Sequence, residues 1–388
     1  MHHDLANEAM LSTLPTEAKS LRVVEVRDEM ELECLTAPWS QLAGDVPFRG
    51  WDWILSWWRH YRDSHSELWT LLVKDENDRV VGIAPWYIHS SPRHGRVVRF
   101  LGSGEVCSDY LTLLCREGRE EQVAHSIADW LAGEGARQWH LLDLTGIEAT
   151  DLAIGHLGRR LSQHGRIVDR QSDLNCWRTT LTGNWDQFLE QLSKSRRIRT
   201  RTLVRRAIEN GRAVVHHVKT ASDLERGFEI LIDLHQKRRR SLSQSGCFAS
   251  RRFTEFHREM ASRFLASGQL HLFWIELDGR PLSAQYSFVG GQSVYYYQGG
   301  FEPELAHESP GWLSLATSIH WAIEKGYASY DFLRGDESYK TSWKATSRPL
   351  VHVRVFGRQP SARVRYATWY GSEKFKGWAR QILSRAKG

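Results

Sequence analysis

Apolar positions in this chain fall mostly in short runs bounded by turn residues, and the helical spacing of three and four takes over in only a few stretches. In the first half, residues 68–74 (LWTLLVK) predict a strand, 75–79 (DENDR) a turn, 80–89 a second strand and 96–102 (RVVRFLG) a third, because each run is rich in β-branched and aromatic side chains between turn signals. A glycine-containing loop leads to a helix at about 119–132, where Val123, Ile127, Trp130 and Leu131 share one stripe, and then to a strand at 138–144.

The second half repeats that order roughly 200 residues later. Residues 270–277 (LHLFWIEL) predict a strand, Asp278-Gly279 a hairpin turn, 282–289 the next strand, Gly290-Gly291 another turn and 293–298 a third strand. After a loop at 299–308 a helix begins at Ser309, whose hydroxyl is placed to accept from an early helical N–H, with Pro310 suited to the first helical position. Its inward stripe is Trp312, Leu315, Ala316, Ile319 and Ile323; Gly326 supplies a left-handed stop, and 329–333 closes the unit as a strand. Between the copies, 186–210 reads as a helix with Leu189, Leu192, Leu203, Val204, Ala207 and Ile208 on its apolar face and Arg or Lys on most turns. The expectation is an α+β chain of two tandem domains, each a mixed, mostly antiparallel sheet flanked by helices. The boundaries read at 1–20 (frayed), 21–175, 176–356 and a tail at 357–388.

Composition is ordinary for a globular protein, with 41% hydrophobic and 25% charged residues and only 10 Pro, which excludes collagenous and low-complexity classes. The longest apolar run, 80–88, contains Gly82 and Pro85 and is too short to cross a membrane; no basic-then-apolar leader opens the chain, so a cytoplasmic protein is expected. The net charge of +6 is unevenly placed. The tail carries eight basic residues against Glu373, and further basic clusters occupy 194–212 and 237–240. Trp369, Phe375, Trp378, Ile382 and Leu383 among those tail charges would suit peripheral contact of 360–388 with an anionic membrane at its inner face. Five scattered Cys without a CxxC pair argue against a disulfide framework or a zinc site, and the 18 His include no HxH or HExxH, so no metal is expected.

The strand–strand–strand–loop–helix–strand order resembles the core of GNAT acyltransferases. Residues 297–303 (YQGGFEP), Ser309-Pro310-Gly311 and 331–343 (DFLRGDESYKTSW) sharpen the likeness, as do 51–58 (WDWILSWW) and 102–110 (GSGEVCSDY) in the first half. Together they resemble the CelD-like (cellulose-biosynthesis-associated) acyltransferases, a group similar to Fem-type aminoacyltransferases, over roughly residues 21–356. The resemblance implies two tandem GNAT-like domains and an acyl-CoA donor. One departure bears on that donor: where GNAT enzymes carry an Arg/Gln-x-x-Gly-x-Gly/Ala pyrophosphate loop, this chain has Gln298, Gly299 and Gly300 followed by the acids Glu302 and Glu304. Ser309, Pro310 and Gly311 still present a helix start, which attracts anions through unpaired N–H groups and the helix dipole.

Acyl transfer needs a base, oxyanion donors and an acid for the leaving group, and 331–343 holds the densest set of such groups. Asp336 or Glu337 is read as the base or the holder of an ammonium acceptor. Tyr339 is read as the acid for a leaving thiolate or ribose oxygen, the role that the resemblance implies, and Lys340 as a phosphate partner. Alternatively, the loop closes on itself through Arg334–Asp336 or Lys340–Glu337 ion pairs. Strand alternation puts Asp331 and Arg334 on opposite faces. His235, Arg238, Gln285, Tyr297 and Trp343 are secondary candidates for contact with substrate. Asp109 and Tyr110 with Trp51, Trp57 and Trp58 form a candidate acceptor pocket, and Arg196 and Arg197 on the basic helix a phosphate-binding surface. Seventeen Trp suit sugar rings, since indole offers a stacking face and one N–H donor. The expected activity is transfer of an acyl group from acyl-CoA to an amine or hydroxyl of a small or sugar-containing, cell-envelope or exopolysaccharide precursor. Aminoacyl-tRNA is the alternative donor, given the Arg-rich segments, and a non-catalytic scaffold at a membrane-bound polysaccharide assembly is the third reading.

Overall fold

The structure, a computed structural model, describes residues 21–359; the expectations for 1–20 and for 360–388 lie outside the described residues. Among those residues no helix is long and apolar enough to cross a membrane.

A single 11-stranded sheet runs through both halves. In spatial order its strands are Ala213–His217, Leu270–Leu277, Arg280–Gly290, Ser293–Phe301, Ser329–Arg334, Ile167–Thr180, Thr346–Phe356, Leu141–Glu148, Gly95–Phe100, Trp86–Ser91 and Ser66–Leu68. A second sheet of four strands orders Arg22–Val26, Thr70–Lys74, Val80–Ala84 and Leu114–Cys115. Among the described residues two neighbouring pairs are parallel, Gly95–Phe100 with Leu141–Glu148 and Ser293–Phe301 with Ser329–Arg334, and each pair is bridged by a helix, Glu120–Ala132 or Pro310–Glu324. The fold is α+β, with mostly antiparallel sheets flanked by helices.

The strands read at 68–74 and 80–89 each split in two. Trp69 and Pro85 sit at the breaks, where the chain passes from one sheet to the other; Pro85 has no N–H to give to a ladder, and its carbonyl accepts from Leu101 instead. The strand Ile167–Thr180 runs across residue 175 and joins the halves: one end pairs with Ser329–Arg334, and its length pairs with Thr346–Phe356. That last strand in turn pairs with Leu141–Glu148 of the first half, so the final strand of the described residues completes the sheet of the first half.

The basic segment is two helices, Trp185–Gln191 and Lys194–Val204, with a π turn at Arg205–Glu209. Helix Ala221–Ser241 lies on the second half's sheet so closely that a Cβ on Gly300 would come 2.2 Å from the backbone N of His235, which explains a glycine there.

Candidate active site

Strand Ser293–Phe301 pairs with Ser329–Arg334 through only three residues, Ser293, Val294 and Tyr295 against Ser329, Tyr330 and Asp331. Past that point the two strands part. The first also carries a bulge at Tyr297, because Tyr286 faces Gln298 while Ser287 faces Tyr296, and a bulge increases local twist. The gap opens into two adjoining cavities. One, of about 510 Å³, lies toward the start of helix Pro310–Glu324 and is lined by Arg199, Arg238, Gln285, Phe301, Ser309, Pro310, Gly311 and Leu315. The other, of about 320 Å³, faces the first half and is lined by Glu105, Cys107, Asp109, Arg239, Cys247, Tyr297, Gln298, Arg334 and Lys340. Tyr296, Gly299, Glu337 and Tyr339 line both and form the wall between them.

At the first cavity Ser309 is left-handed (φ 56°) and caps nothing with its side chain, contrary to the expected cap; its hydroxyl accepts instead from Arg199 at 3.2 Å. Its carbonyl receives the N–H groups of Trp312 and Leu313. Arg196 and Arg199 lie over the Trp312 ring at 5.2 and 5.0 Å, and Arg238 over Phe301 at 4.7 Å, so three guanidinium groups ring a helix start that has no acid in its first turn. Arg197 turns away toward the Glu190 carbonyl. Glu302, an acid that would repel phosphate, is buried and paired with Lys237 at 3.0 Å, and neither it nor Glu304 lines the cavity. Gln298, Gly299 and Gly300 belong to the strand rather than to a loop ahead of the helix, so of the expected cradle residues only Ser309, Pro310 and Gly311 stand at the helix start.

Around 331–343 the expected divergence of Asp331 and Arg334 does not occur. Leu333 adopts φ 55°, which breaks the alternation, and both side chains reach the loop 108–110 of the first half. Asp331 accepts from Tyr110 Oη at 2.6 Å, Arg178 Nε at 2.8 Å and the Leu333 N–H at 2.8 Å. Arg334 donates to Asp109 and to the Ser108 carbonyl, and its backbone N–H to Asp109 at 3.1 Å. Asp109 is 1% exposed and Tyr110 2%, so these two residues hold the halves together. Trp57 is buried in the core, stacked on Tyr61, and Trp51 packs edge-on to Trp39; neither lines either cavity.

Lys340 is 1% exposed, and its ammonium is taken up by the carbonyls of Leu333, Arg334 and Gly335 at 2.8–3.1 Å and by Glu337 at 2.9 Å, which leaves it no donor for phosphate. Asp336 points out of the site: Asn175 and Trp177 donate to it at 2.9 and 3.0 Å and hold its carboxyl below the usual range. Glu337 stays at the wall, with its side chain 58% exposed. Burial pushes the Tyr339 phenol well up, so it keeps its proton at neutral pH.

Trp343 is fully buried and stacks on Trp312, and Gln285 spends its amide on Ser287, Ser318 and Tyr330 at 2.6–3.0 Å beneath the first cavity. Tyr297 donates to the Val106 carbonyl at 2.7 Å, tying the bulge to the first half. His235 is buried against Gln236 and Cys247, and burial pushes its imidazole down to about 4. Arg199, Arg239, Tyr296, Glu105 and Cys107 also line the site, and sequence reasoning misses all five.

Comparison with known proteins bears on the fold. Residues 194–341 match the family model described as Acetyltransferase (GNAT) domain, while no curated protein matches the chain. Among solved structures, FemX is similar at 12% identity with a TM-score of 0.51, covering 73% of this chain and 87% of that one. A conserved protein of unknown function from Bacteroides thetaiotaomicron is similar at 8% identity and TM-score 0.55, over 87% of this chain and 100% of that one. L-PGS from Bacillus licheniformis gives 10%, 0.50, 88% and 96%. At such identities the likeness speaks for fold. Residues 194–341 are thus similar to a GNAT acetyltransferase domain, set in a chain whose fold is similar to that of FemX.

Proposed function

We propose that this protein transfers an acyl group from acyl-CoA to an amine or hydroxyl of a small or sugar-containing precursor of the cell envelope or an exopolysaccharide, as the CelD-like resemblance suggests. The observation that carries the reading is the pair of cavities sharing the wall Tyr296–Gly299–Glu337–Tyr339. One ends at a cationic helix start suited to pyrophosphate, the other at polar groups of the first half suited to an acceptor.

The donor supplies an activated thioester carbonyl. Glu337 accepts the proton of the attacking nitrogen or oxygen as the new bond to the acyl carbon forms. Tyr339, kept neutral by burial, gives a proton to the sulfur as the carbon–sulfur bond breaks. Arg199 and Arg238 hold phosphate, and Arg334 and Lys340 hold the loop that carries Glu337 and Tyr339 rather than touching substrate.

A second reading, aminoacyl-tRNA as donor, is favoured by the exposed arginines on Lys194–Val204 and its π turn, including Arg199, Arg201, Arg205 and Arg206. Thermal unfolding separates the two. Acetyl-CoA at a hundredfold its Kd stabilises by about 2.7 kcal/mol and raises Tm, and Arg199→Ala and Arg238→Ala each reduce its affinity about tenfold, as loss of a charge-assisted contact would. No shift with acetyl-CoA, together with tRNA retention that falls steeply with salt, would select the second donor.

A further inference from the structure

Helices Glu120–Ala132 and Leu152–Gln163 pack side by side over the first half's core, through Val123, Ile127 and Leu131 on one and Ile154, Leu157 and Leu161 on the other. Along their solvent edge, ionisable groups recur every four residues: Glu121, His125 and Asp129 on the first helix, His156, Arg160 and His164 on the second. The two ends of this ladder differ. Asp129 is fully engaged, with Arg160 at 2.6 and 2.9 Å and His164 at 2.6 Å. At the other end, Glu121 Oε1 stands 3.8 Å from His125 Nε2 and 3.6 Å from His156 Nδ1, too far for a hydrogen bond, and all three ligand atoms lie within 4.8 Å of one another.

Ligand atoms about 2.0–2.2 Å from a zinc ion arranged tetrahedrally stand roughly 3.3–3.5 Å from each other. The two carboxylate–imidazole separations at the loose end, 3.6 and 3.8 Å, stand within about 0.5 Å of that spacing. We propose that Glu121, His125 and His156 bind one zinc-type divalent cation that staples the two helices, a site unrelated to the acyl-transfer cleft and contrary to the absence of metal expected from the sequence motifs. Two imidazoles and one carboxylate select a borderline cation over magnesium or calcium. Side-chain exposures of 35% for His125 and 20% for His156 leave an entry path from solvent and an open coordination position for water. Arg159 Nη2 lies 3.1 Å from His156 Nδ1 and competes with the ion for that nitrogen, so it tunes affinity downward.

The test is calorimetric titration of zinc chloride into the untagged full-length chain after chelator treatment. One ion per chain at micromolar affinity is expected, weakened at least about tenfold by His125→Ala or His156→Ala and strengthened by Arg159→Ala. Cobalt(II) should give a visible absorption band in the native protein that the double His variant lacks, with circular dichroism confirming that the variant is folded. Zinc heats unchanged in the double variant would place the ion elsewhere, at His2-His3 for instance, and overturn the proposal. So would the absence of binding at millimolar zinc, or equal binding of magnesium chloride.

Discussion

In both halves a strand pairs in parallel with the strand beyond its crossover helix, and in both the pairing covers only a few residues: Val97 and Val98 with Leu141 and Leu142, and 293–295 with 329–331. Beyond those residues the halves diverge. In the first half the chain itself fills the opening, with Leu111 donating to the Gly146 carbonyl at 2.9 Å and Leu111 and Leu113 joining the core. Its helix starts at Glu120 and Glu121 without a cap, two acids at the positive end of the dipole. In the second half the opening stays clear, and the helix start carries no acid and is ringed by Arg196, Arg199 and Arg238. One topology thus yields a packed core and an anion-friendly cleft. Which it becomes is decided by the few residues threaded through the gap. The first half then serves the second as a wall, through 105–110.

The largest test of that division concerns the strut between the halves. Asp109→Ala leaves Arg334 buried without its carboxylate and should cost roughly 3–5 kcal/mol in chemical denaturation; a loss under about 1 kcal/mol would show that the wall is not held this way.

Acid separates the halves next. His235 binds its proton more weakly folded than unfolded, so between about pH 6.5 and about 4 the unfolded chain takes up a proton that the folded one does not. Its contribution, up to about 3 kcal/mol, is complete above the unfolded pKa and fades as pH falls through that window. Asp143, in the first half, is raised by burial but more strongly lowered by His352 and Arg354, so its contribution fades only below the ordinary Asp range. Hydrogen exchange on lowering pH from 7 to 4 should loosen Ala221–Ser241 before Leu141–Glu148, and simultaneous loosening would contradict the assignment.

The smallest free-energy change is at the wall. Tyr339→Phe should slow thiol release from acetyl-CoA about a hundredfold across a panel of amines, and Glu337→Gln should slow it similarly, both with unaltered unfolding midpoints. Full activity in both would remove the proposed acid and base.

Much of the second half is legible in the sequence because its signals are local. Asp278-Gly279 turns where expected, strand Leu270–Leu277 and helix Pro310–Glu324 fall where their patterns place them, and Gly326 takes φ 79°. The illegible part depends on contacts distant in sequence. Strand Ile167–Thr180 is shared by both halves, and Thr346–Phe356 pairs back onto Leu141–Glu148, neither of which any run of residues announces. The site is half legible for the same reason. Glu337 and Tyr339 follow from residue type and position. The left-handed Leu333 that turns Arg334 onto Asp109 is imposed by Asp331 and Lys340 gripping its N–H and carbonyl, and Asp336 is deflected by Asn175 and Trp177 from a strand far earlier in the chain. Among several arginines on one basic helix, only the packed phase relative to Trp312 shows that Arg199 rather than Arg197 faces the cleft.

The central claim is that the second half's opening is the donor site. Gly311 lies at its mouth, where an added Cβ would meet Phe301 ring atoms at 3.8–3.9 Å, ordinary contact distance, so a side chain can branch from that position without a clash at its Cβ. Calorimetric titration of acetyl-CoA into the native chain and into Gly311→Phe measures the claim directly. One molecule bound per native chain and an affinity at least about a hundredfold weaker in the variant, a loss of about 2.7 kcal/mol, is the expected result; equal binding to both would place the donor elsewhere and contradict it.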